Sequence, residues 1–133
     1  MSDSTLPSSD SPVAVSDHGA VRRITVNRPD KLNALNAATL DGLLAAFEAA
    51  AAGPGGRCVL LAGAGAKAFV AGADIAEMNT LTPVQGRDFS LRGQKLMRRI
   101  EKMPKPVVAM VNGFALGGGP ELAMGWHLGI AAR

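Results

Sequence analysis

The chain has 133 residues, of which 47% are hydrophobic, and its 14 basic and 11 acidic residues give a net charge of +3. This length suits one domain with a moderate core, no apolar run is long enough to cross a membrane, and the weak, dispersed charge does not indicate a nucleic-acid partner. With one cysteine, Cys58, and two histidines, His18 and His127, that share no ligand spacing, we expect no internal disulfide and no metal site.

The first 18 residues are rich in Ser, Asp and Pro and predict a disordered tail, so the folded domain is expected over residues 19–133. This stretch has neither the basic start and apolar segment of a secretory signal nor the arginine of a transit peptide. A cytoplasmic location is therefore expected.

Short runs along the rest of the chain predict strands. The β-rich run "AVRRITVNRP" places Val21, Ile24 and Val26 in a strand that Pro29 stops. The apolar runs "RCVLLAG" and "VVAMVNG" predict two buried strands, and "GIAA" predicts the beginning of another strand.

Helical patterns lie between these strands. Asn36 is expected to cap a helix that ends at Gly53, Thr82 to cap a second helix with Pro83 at its first position, and a third helix is expected to begin at Pro120. The apolar positions that recur at helical spacing are Leu40, Leu43, Leu44 and Phe47 in the first helix, and Phe89, Leu96, Met97, Ile100 and Met103 in the second. This alternation of strands and helices predicts an α/β fold with parallel strands.

The glycine-rich turn "VLLAGAGAKAF" follows the second predicted strand. Gly63, Gly65 and Ala68 match the pattern G-x-G-x-x-A of dinucleotide-binding turns, but the chain turns again at "FVAGAD" where that interpretation requires a helix. The phosphate-loop pattern fails as well, because no glycine directly precedes Lys67 and Ala68 follows it in place of Ser or Thr. An ordinary tight turn is favoured over both nucleotide interpretations.

Two further turns place bare backbone directly before a helical pattern. Asp74 follows "VAGA" in the first, and Glu121 follows "GGGP" in the second. Each acid taken alone is explained by capping or by the helix dipole. Together the two turns offer free N–H groups at the carboxyl ends of neighbouring strands, with an acid beside one of them, which is typical of an oxyanion hole with a proton-transferring group.

Three segments in this order closely resemble the crotonase superfamily, the enoyl-CoA hydratase/isomerase family: "VNRPDKLNALN", "GAGAKAFVAGADIAEM" and "PKPVVAMVNGFALGGGPELAM". The resemblance covers roughly residues 21–133. It implies an α/β fold in which ββα turns wind into a spiral, here truncated before the family's C-terminal helical region.

The resemblance also implies roles for individual residues. The backbone N–H groups of Ala73 and Gly118 would hold the thioester oxygen, and Glu121 would be one of two glutamates with which hydratases add water. Asp74 would cap its helix without being catalytic. The residues that match the family's CoA-contacting segments are Leu32, Ala34, Ala71, Asp74, Ile75 and Ala76.

The activity implied is that of an enoyl-CoA hydratase, which adds water syn to a 2-trans-enoyl-CoA without a metal or redox cofactor. The second hydratase glutamate belongs to a motif of the type "FGQPE", which these 133 residues do not contain. An enoyl-CoA isomerase of the same family and a non-catalytic acyl-CoA-binding fragment therefore remain as alternatives. The resemblance implies an acyl-CoA partner, a homo-oligomer (a trimer or a dimer of trimers), and a role in fatty-acid metabolism.

Overall fold

The computed structural model describes residues 11–54, 56–65, 68–70, 74–112, 114–115 and 128–132. Within these ranges, three α-helices and a short 3-10 helix over Pro29–Lys31 lie between strands; the α-helices are α1 (Ala37–Ala52), α2 (Ile75–Met78) and α3 (Pro83–Glu101). The strands are β1 (Val13–His18), β2 (Val21–Val26), β3 (Cys58–Gly63), β4 (Ala68–Val70), β5 (Val107–Asn112), β6 (Phe114–Ala115) and β7 (Leu128–Ala132).

Five of these strands form one sheet in the order β1-β2-β3-β5-β7, and β4 pairs with β6 in a separate two-stranded sheet. All pairs are parallel except β1–β2. The chain repeats a unit of two strands and a helix, and equivalent strands of successive units pair with each other, as β3 does with β5 and β4 with β6. The expected α/β spiral of ββα turns is thus the architecture observed.

The predicted disordered tail is wrong for residues 13–18, which form strand β1. The register pairs Val13 with Val26 and His18 with Val21, so Gly19 and Ala20 form a two-residue hairpin turn. Gly19 adopts φ 62°, a left-handed value that glycine accepts without strain. Antiparallel pairing with β2 therefore orders a segment whose composition by itself suggests disorder. Residues 1–10 lie outside the described part of the chain.

The predicted helix caps are confirmed for the first two helices. The Asn36 side chain accepts a hydrogen bond from the Thr39 N–H at the start of α1. Thr82 and Gln85 form a reciprocal capping box at the start of α3, with Pro83 in its first turn. These bonds satisfy donors that a helix N-terminus leaves without an internal acceptor. The helix expected from Pro120 falls on residues outside the described ranges.

The two long helices pack against each other and cover one face of the five-stranded sheet. The core between them contains residues that are essentially inaccessible to water: Ile24, Val26, Leu43, Phe47, Val59, Leu61, Leu96, Ile100, Val107 and Ala109. Register places Ile24 beside Leu61 and Leu61 beside Ala109, so one face of three neighbouring strands supplies the sheet side of the core. Burial of this face fixes the register, because a one-residue slip would turn these side chains outward.

The glycine-rich turn after β3 does not open a helix. Gly65 has φ 80°, and the next described element is strand β4. A dinucleotide-binding turn requires a helix at this point, because the helix N-terminus holds the pyrophosphate. The tight-turn interpretation is therefore confirmed.

Candidate functional site

The loop after β2 and the segment after β3, which contain the first two of the family-like motifs, leave the sheet at the same edge. Val26 and Gly63 end the parallel strands β2 and β3 and are paired in register, and the Ala64 N–H donates to the Val26 carbonyl over 2.8 Å. The loop 27–36 therefore begins beside the segment that leads through β4 to Asp74. This is the carboxyl edge of parallel strands, where open α/β sheets bind ligands.

The loop after β2 contains two consecutive residues with left-handed backbone. Leu32 has φ 54° and Asn33 has φ 58°, values that are uncommon for residues other than glycine and are costly for leucine. Leu32 is 37% exposed despite its apolar side chain. Local backbone bonds hold the turn, including one from the Asn33 N–H to the Arg28 carbonyl at 2.7 Å. Strain of this kind persists where surrounding contacts over-determine the conformation.

Asn33 supplies those contacts from a fully buried side chain. Its Oδ1 accepts a hydrogen bond from the Arg28 N–H at 2.8 Å, and its Nδ2 donates to the Ala64 carbonyl at 2.9 Å. The first bond closes the loop on itself, and the second ties it to the turn after β3. Asn33 thereby holds two neighbouring turns in a fixed relation.

Asp74 caps α2 and binds the same loop from the other side. Its Oδ1 accepts from the Glu77 N–H at 3.2 Å, so the predicted capping role is confirmed. Its Oδ2 lies 3.0 Å from Nη1 of Arg28 in an ion pair whose side chains are each 15% exposed. Its N–H donates to the Leu35 carbonyl at 2.8 Å. One residue therefore contacts the loop through both its backbone and its carboxylate.

The pKa of the Asp74 carboxyl lies below its ordinary value. Burial raises the pKa, but the hydrogen bonds from the Glu77 N–H and the Arg28 guanidinium, together with the charge of that guanidinium, outweigh the effect of burial. Asp74 is consequently a carboxylate at neutral pH. A group stabilised in its charged form is a poor proton donor, which agrees with a structural and not a catalytic role.

A third contact joins α2 to α1. Oε1 of Glu77 accepts a hydrogen bond from the Ala37 N–H at 3.1 Å, and Ala37 is the first residue of α1. No local sequence pattern pairs Glu77 with a residue forty positions earlier. Its carboxylate satisfies an N–H that the helix itself leaves without an acceptor, and adds a favourable charge at the helix N-terminus.

The structure brings together the predicted residues that it describes. Leu32 and Ala34 lie in the loop, Asp74 is bonded to that loop, and Ile75 and Ala76 begin α2. Ala71, Ala73, Gly118 and Glu121 lie outside the described residues.

The sequence patterns do not point to Arg28, Asn33 and Glu77, whose contacts link the predicted segments. For Asn33 a signal existed, because asparagine accepts left-handed backbone more readily than most residues. For Arg28 and Glu77 the partners lie 46 and 40 positions away, and no local pattern announces such pairings.

Among the residues that the structure describes, no group of three or more His, Cys, Asp or Glu side chains could hold a metal ion. Among the same residues, no helix has the length and apolar character needed to cross a membrane.

Comparison with known proteins places this geometry in a family. The chain is 46% identical over 120 residues to the short-chain-enoyl-CoA hydratase of Clostridium acetobutylicum, covering 90% of this chain and 46% of that protein. It is 50% identical over 107 residues to the crotonyl-CoA hydratase of Syntrophomonas wolfei, covering 80% of this chain and 41% of that protein. The chain thus spans about half the length of the curated relatives it matches.

A solved structure agrees with these relatives. The enoyl-CoA hydratase of Bacillus anthracis superimposes with a TM-score of 0.87 at 36% identity, over 90% of this chain and 47% of that one. The family model described as Enoyl-CoA hydratase/isomerase matches residues 16–133, which include the loop, the Asp74 segment and the second glycine turn. The chain belongs to the enoyl-CoA hydratase/isomerase family.

Proposed function

We propose that the protein is an enoyl-CoA hydratase that adds water reversibly and syn across the double bond of a 2-trans-enoyl-CoA. The observation that carries the proposal is the identity of 46% and 50% to relatives named as hydratases of short-chain enoyl-CoA and crotonyl-CoA. Crotonyl-CoA is accordingly the substrate with which to test it.

In the proposed reaction, the N–H groups of Ala73 and Gly118 hold the thioester oxygen. Water attacks the β carbon and gives up one proton, a proton is added to the α carbon, and negative charge accumulates on the thioester oxygen between these two steps. Two N–H donors at the oxygen stabilise this charge in the transition state. The Asp74 N–H is occupied by the Leu35 carbonyl, which supports assigning the donor role in this turn to the preceding residue.

Glu121 is the proposed proton-transferring residue, and the chemistry requires no metal or redox cofactor. Leu32, Ala34, Ala71, Asp74, Ile75 and Ala76 are the proposed CoA contacts. The bonds from Arg28 and Asp74 that hold the loop in place support this assignment, because a rigid loop binds a ligand with less loss of conformational freedom.

Self-association in the cytoplasm, as a trimer or a dimer of trimers, belongs to the same proposal, as does a role in fatty-acid metabolism. Val84 and Leu91 support self-association: they lie seven positions apart on α3 and are 79% and 50% exposed. Sedimentation measures the oligomeric state of the chain, and a monomer at high concentration would contradict the proposed self-association.

The decisive experiment follows the absorbance of the conjugated thioester of crotonyl-CoA during hydration. Glu121→Gln keeps the shape of the side chain but cannot exchange a proton, so turnover is expected to fall by about 10²–10⁴-fold. Binding of acetoacetyl-CoA, measured by calorimetry, should persist. Glu101→Gln, at an exposed position of α3, is the matched control and should leave turnover unchanged.

The other outcomes separate the alternatives. Thioester binding without hydration but with migration of a 3-enoyl double bond would identify an isomerase, for which one well-placed acid is enough. Binding without turnover of either substrate would identify a non-catalytic acyl-CoA-binding protein. Tight binding of NAD without binding of any CoA thioester would overturn the proposal.

A further inference from the structure

Arg28 lies between the two segments to which the proposed CoA contacts belong. Its Nη1 donates a hydrogen bond to the Ala34 carbonyl over 2.7 Å and lies 3.0 Å from Oδ2 of Asp74. A single guanidinium nitrogen thus contacts the loop after β2 and Asp74, the residue that follows Ala73 in the sequence.

Backbone and side-chain bonds join the same two segments at adjacent points. The Asp74 N–H donates to the Leu35 carbonyl at 2.8 Å, and the Ala37 N–H donates to Glu77 at 3.1 Å. The loop and the start of α2 therefore cannot move apart without breaking several bonds at once. Of the three charged residues that make these contacts, Arg28, Asp74 and Glu77, only Arg28 belongs to the loop, and its side chain contacts both the loop and Asp74.

The surroundings make the Arg28 contacts strong. The Arg28 and Asp74 side chains are each 15% exposed, so water screens the ion pair far less than it screens a surface pair. The Arg28 backbone N–H is also fixed, by Asn33, within the strained turn that contains Leu32. Arg28 is consequently held both at its backbone and at its guanidinium, so the fold sets the position of the side chain.

We propose that Arg28 is a positioning residue that couples the CoA-contacting loop to the turn that binds the thioester oxygen. The coupling means that a CoA moiety seated on the loop steadies the Ala73 N–H through Arg28 and Asp74. This inference rests on the proposed function. Its signature is a loss of thioester recognition that exceeds any loss of affinity for CoA itself.

The experiment compares dissociation constants for two probes, free CoA and acetoacetyl-CoA, whose enolisable thioester presents a partly anionic oxygen. In Arg28→Gln, the preference for acetoacetyl-CoA over CoA is expected to fall by about 2- to 30-fold, the range of coupling that single residues carry. Arg28→Lys retains the charge without the planar fork and should restore part of the preference.

Two further variants guard against misfolding and general loss of charge. Asp74→Asn keeps an N-cap for α2, since asparagine caps as well as aspartate, but removes the ion pair, and it should lower the preference as Arg28→Gln does. Arg92→Gln is the matched control. It breaks an ion pair of the same length, 3.0 Å to Asp41, between side chains that are 40% and 59% exposed, and it should leave the preference unchanged.

The outcomes separate this inference from the proposed function. If the parent chain binds acetoacetyl-CoA and Arg28→Gln shows the same preference as Arg92→Gln, Arg28 does not position the turn. An equal, salt-dependent loss for both probes would instead make Arg28 a phosphate contact and overturn the inference. If the parent chain binds neither probe, the proposed function fails.

Hydrogen exchange provides a readout that needs no ligand. The Asp74 and Ala37 amides, whose bonds join the two segments, should exchange faster in Arg28→Gln and at the parent rate in Arg92→Gln. Unchanged exchange at both amides in Arg28→Gln would refute the coupling even if the ligand preference had shifted.

Discussion

Asn33 meets two requirements that few residues satisfy together. Its backbone has φ 58°, and its fully buried side chain accepts a hydrogen bond from the Arg28 N–H and donates one to the Ala64 carbonyl. Glycine would accept the backbone conformation but would leave the Arg28 N–H and the Ala64 carbonyl without these bonds. Alanine would leave the same groups without partners and would also strain the backbone. The residue type therefore follows from the position.

Asn33→Ala is expected to lower the free energy of unfolding by about 2–4 kcal/mol, because buried groups lose hydrogen-bond partners and the left-handed backbone becomes strained. Asn33→Gly loses the same hydrogen bonds but does not strain the left-handed backbone, so it should cost about 1 kcal/mol less than Asn33→Ala. Urea unfolding measures both. Asn79→Ala, at an exposed turn, is the control and should remain within about 0.5 kcal/mol of the parent. Equal stability of Asn33→Ala and Asn79→Ala would show that the two bonds contribute nothing.

At the scale of elements, α1 and α3 differ in how they use glycine. Gly93 lies within α3, and a Cβ built there would meet no atom within 4 Å. Gly42 lies within α1, and a Cβ built there would come within 2.9 Å of Cγ2 of Val13 on β1. Gly42 thus allows α1 to approach the edge strand, whereas no such contact requires a glycine at position 93 of α3.

Gly93→Ala is expected to stabilise the protein by about 0.5–1 kcal/mol, because alanine has less conformational freedom to lose in a helix. Gly42→Ala makes the same chemical change but forces the stiff Val13 side chain to move, and overpacking of this kind costs about 1–3 kcal/mol. We therefore expect a net loss of stability for Gly42→Ala. Thermal unfolding measures the stability of both variants. If Gly42→Ala stabilised the protein as Gly93→Ala does, the Val13 side chain would move aside at little energetic cost.

Over the whole molecule, the Arg28–Asp74 ion pair joins parts of the chain that are 46 positions apart. Among the described residues, Asp17 also has a lowered pKa, which it owes to its hydrogen bond with Arg22 in the β1–β2 hairpin, where the Asp17 side chain is 54% exposed. Both groups have a folded pKa below the ordinary value of about 3.9. Each stabilises the fold fully above that value, and the contribution is lost as the pH falls through the folded pKa.

Asp74→Asn should lower the free energy of unfolding at pH 7 by about 1–2 kcal/mol, and the difference from the parent should shrink as the pH falls below about 3.9. At low pH the parent carboxyl is protonated and resembles the amide. Asp17→Asn is the control and should cost less at pH 7, since solvent screens an exposed pair. A difference between Asp74→Asn and the parent that is the same at pH 7 and pH 3 would show that the ion pair does not stabilise the fold.

The sequence by itself determined the elements whose signals are local. Helix α1 begins after Asn36 and α3 after Thr82, because capping depends on side chains within three residues of the N–H groups they satisfy. The run predicted as β2 is a strand, and the apolar runs of β3 and β5 are buried strands as predicted, since a strand covered by its neighbours must be apolar. The order and spacing of three motifs were enough to indicate the family.

Only the tertiary structure decided the features whose partners are distant in the chain. Strand β1 exists because β2 offers it a ladder of hydrogen bonds, and the short strands β4 and β6 exist because they pair with each other. The contacts of Arg28, Asn33 and Glu77 arise because parallel strands place the loops after β2 and β3 at one edge of the sheet. Pairings across 31 to 46 positions depend on how the sheet is wound, which no window of neighbouring residues encodes.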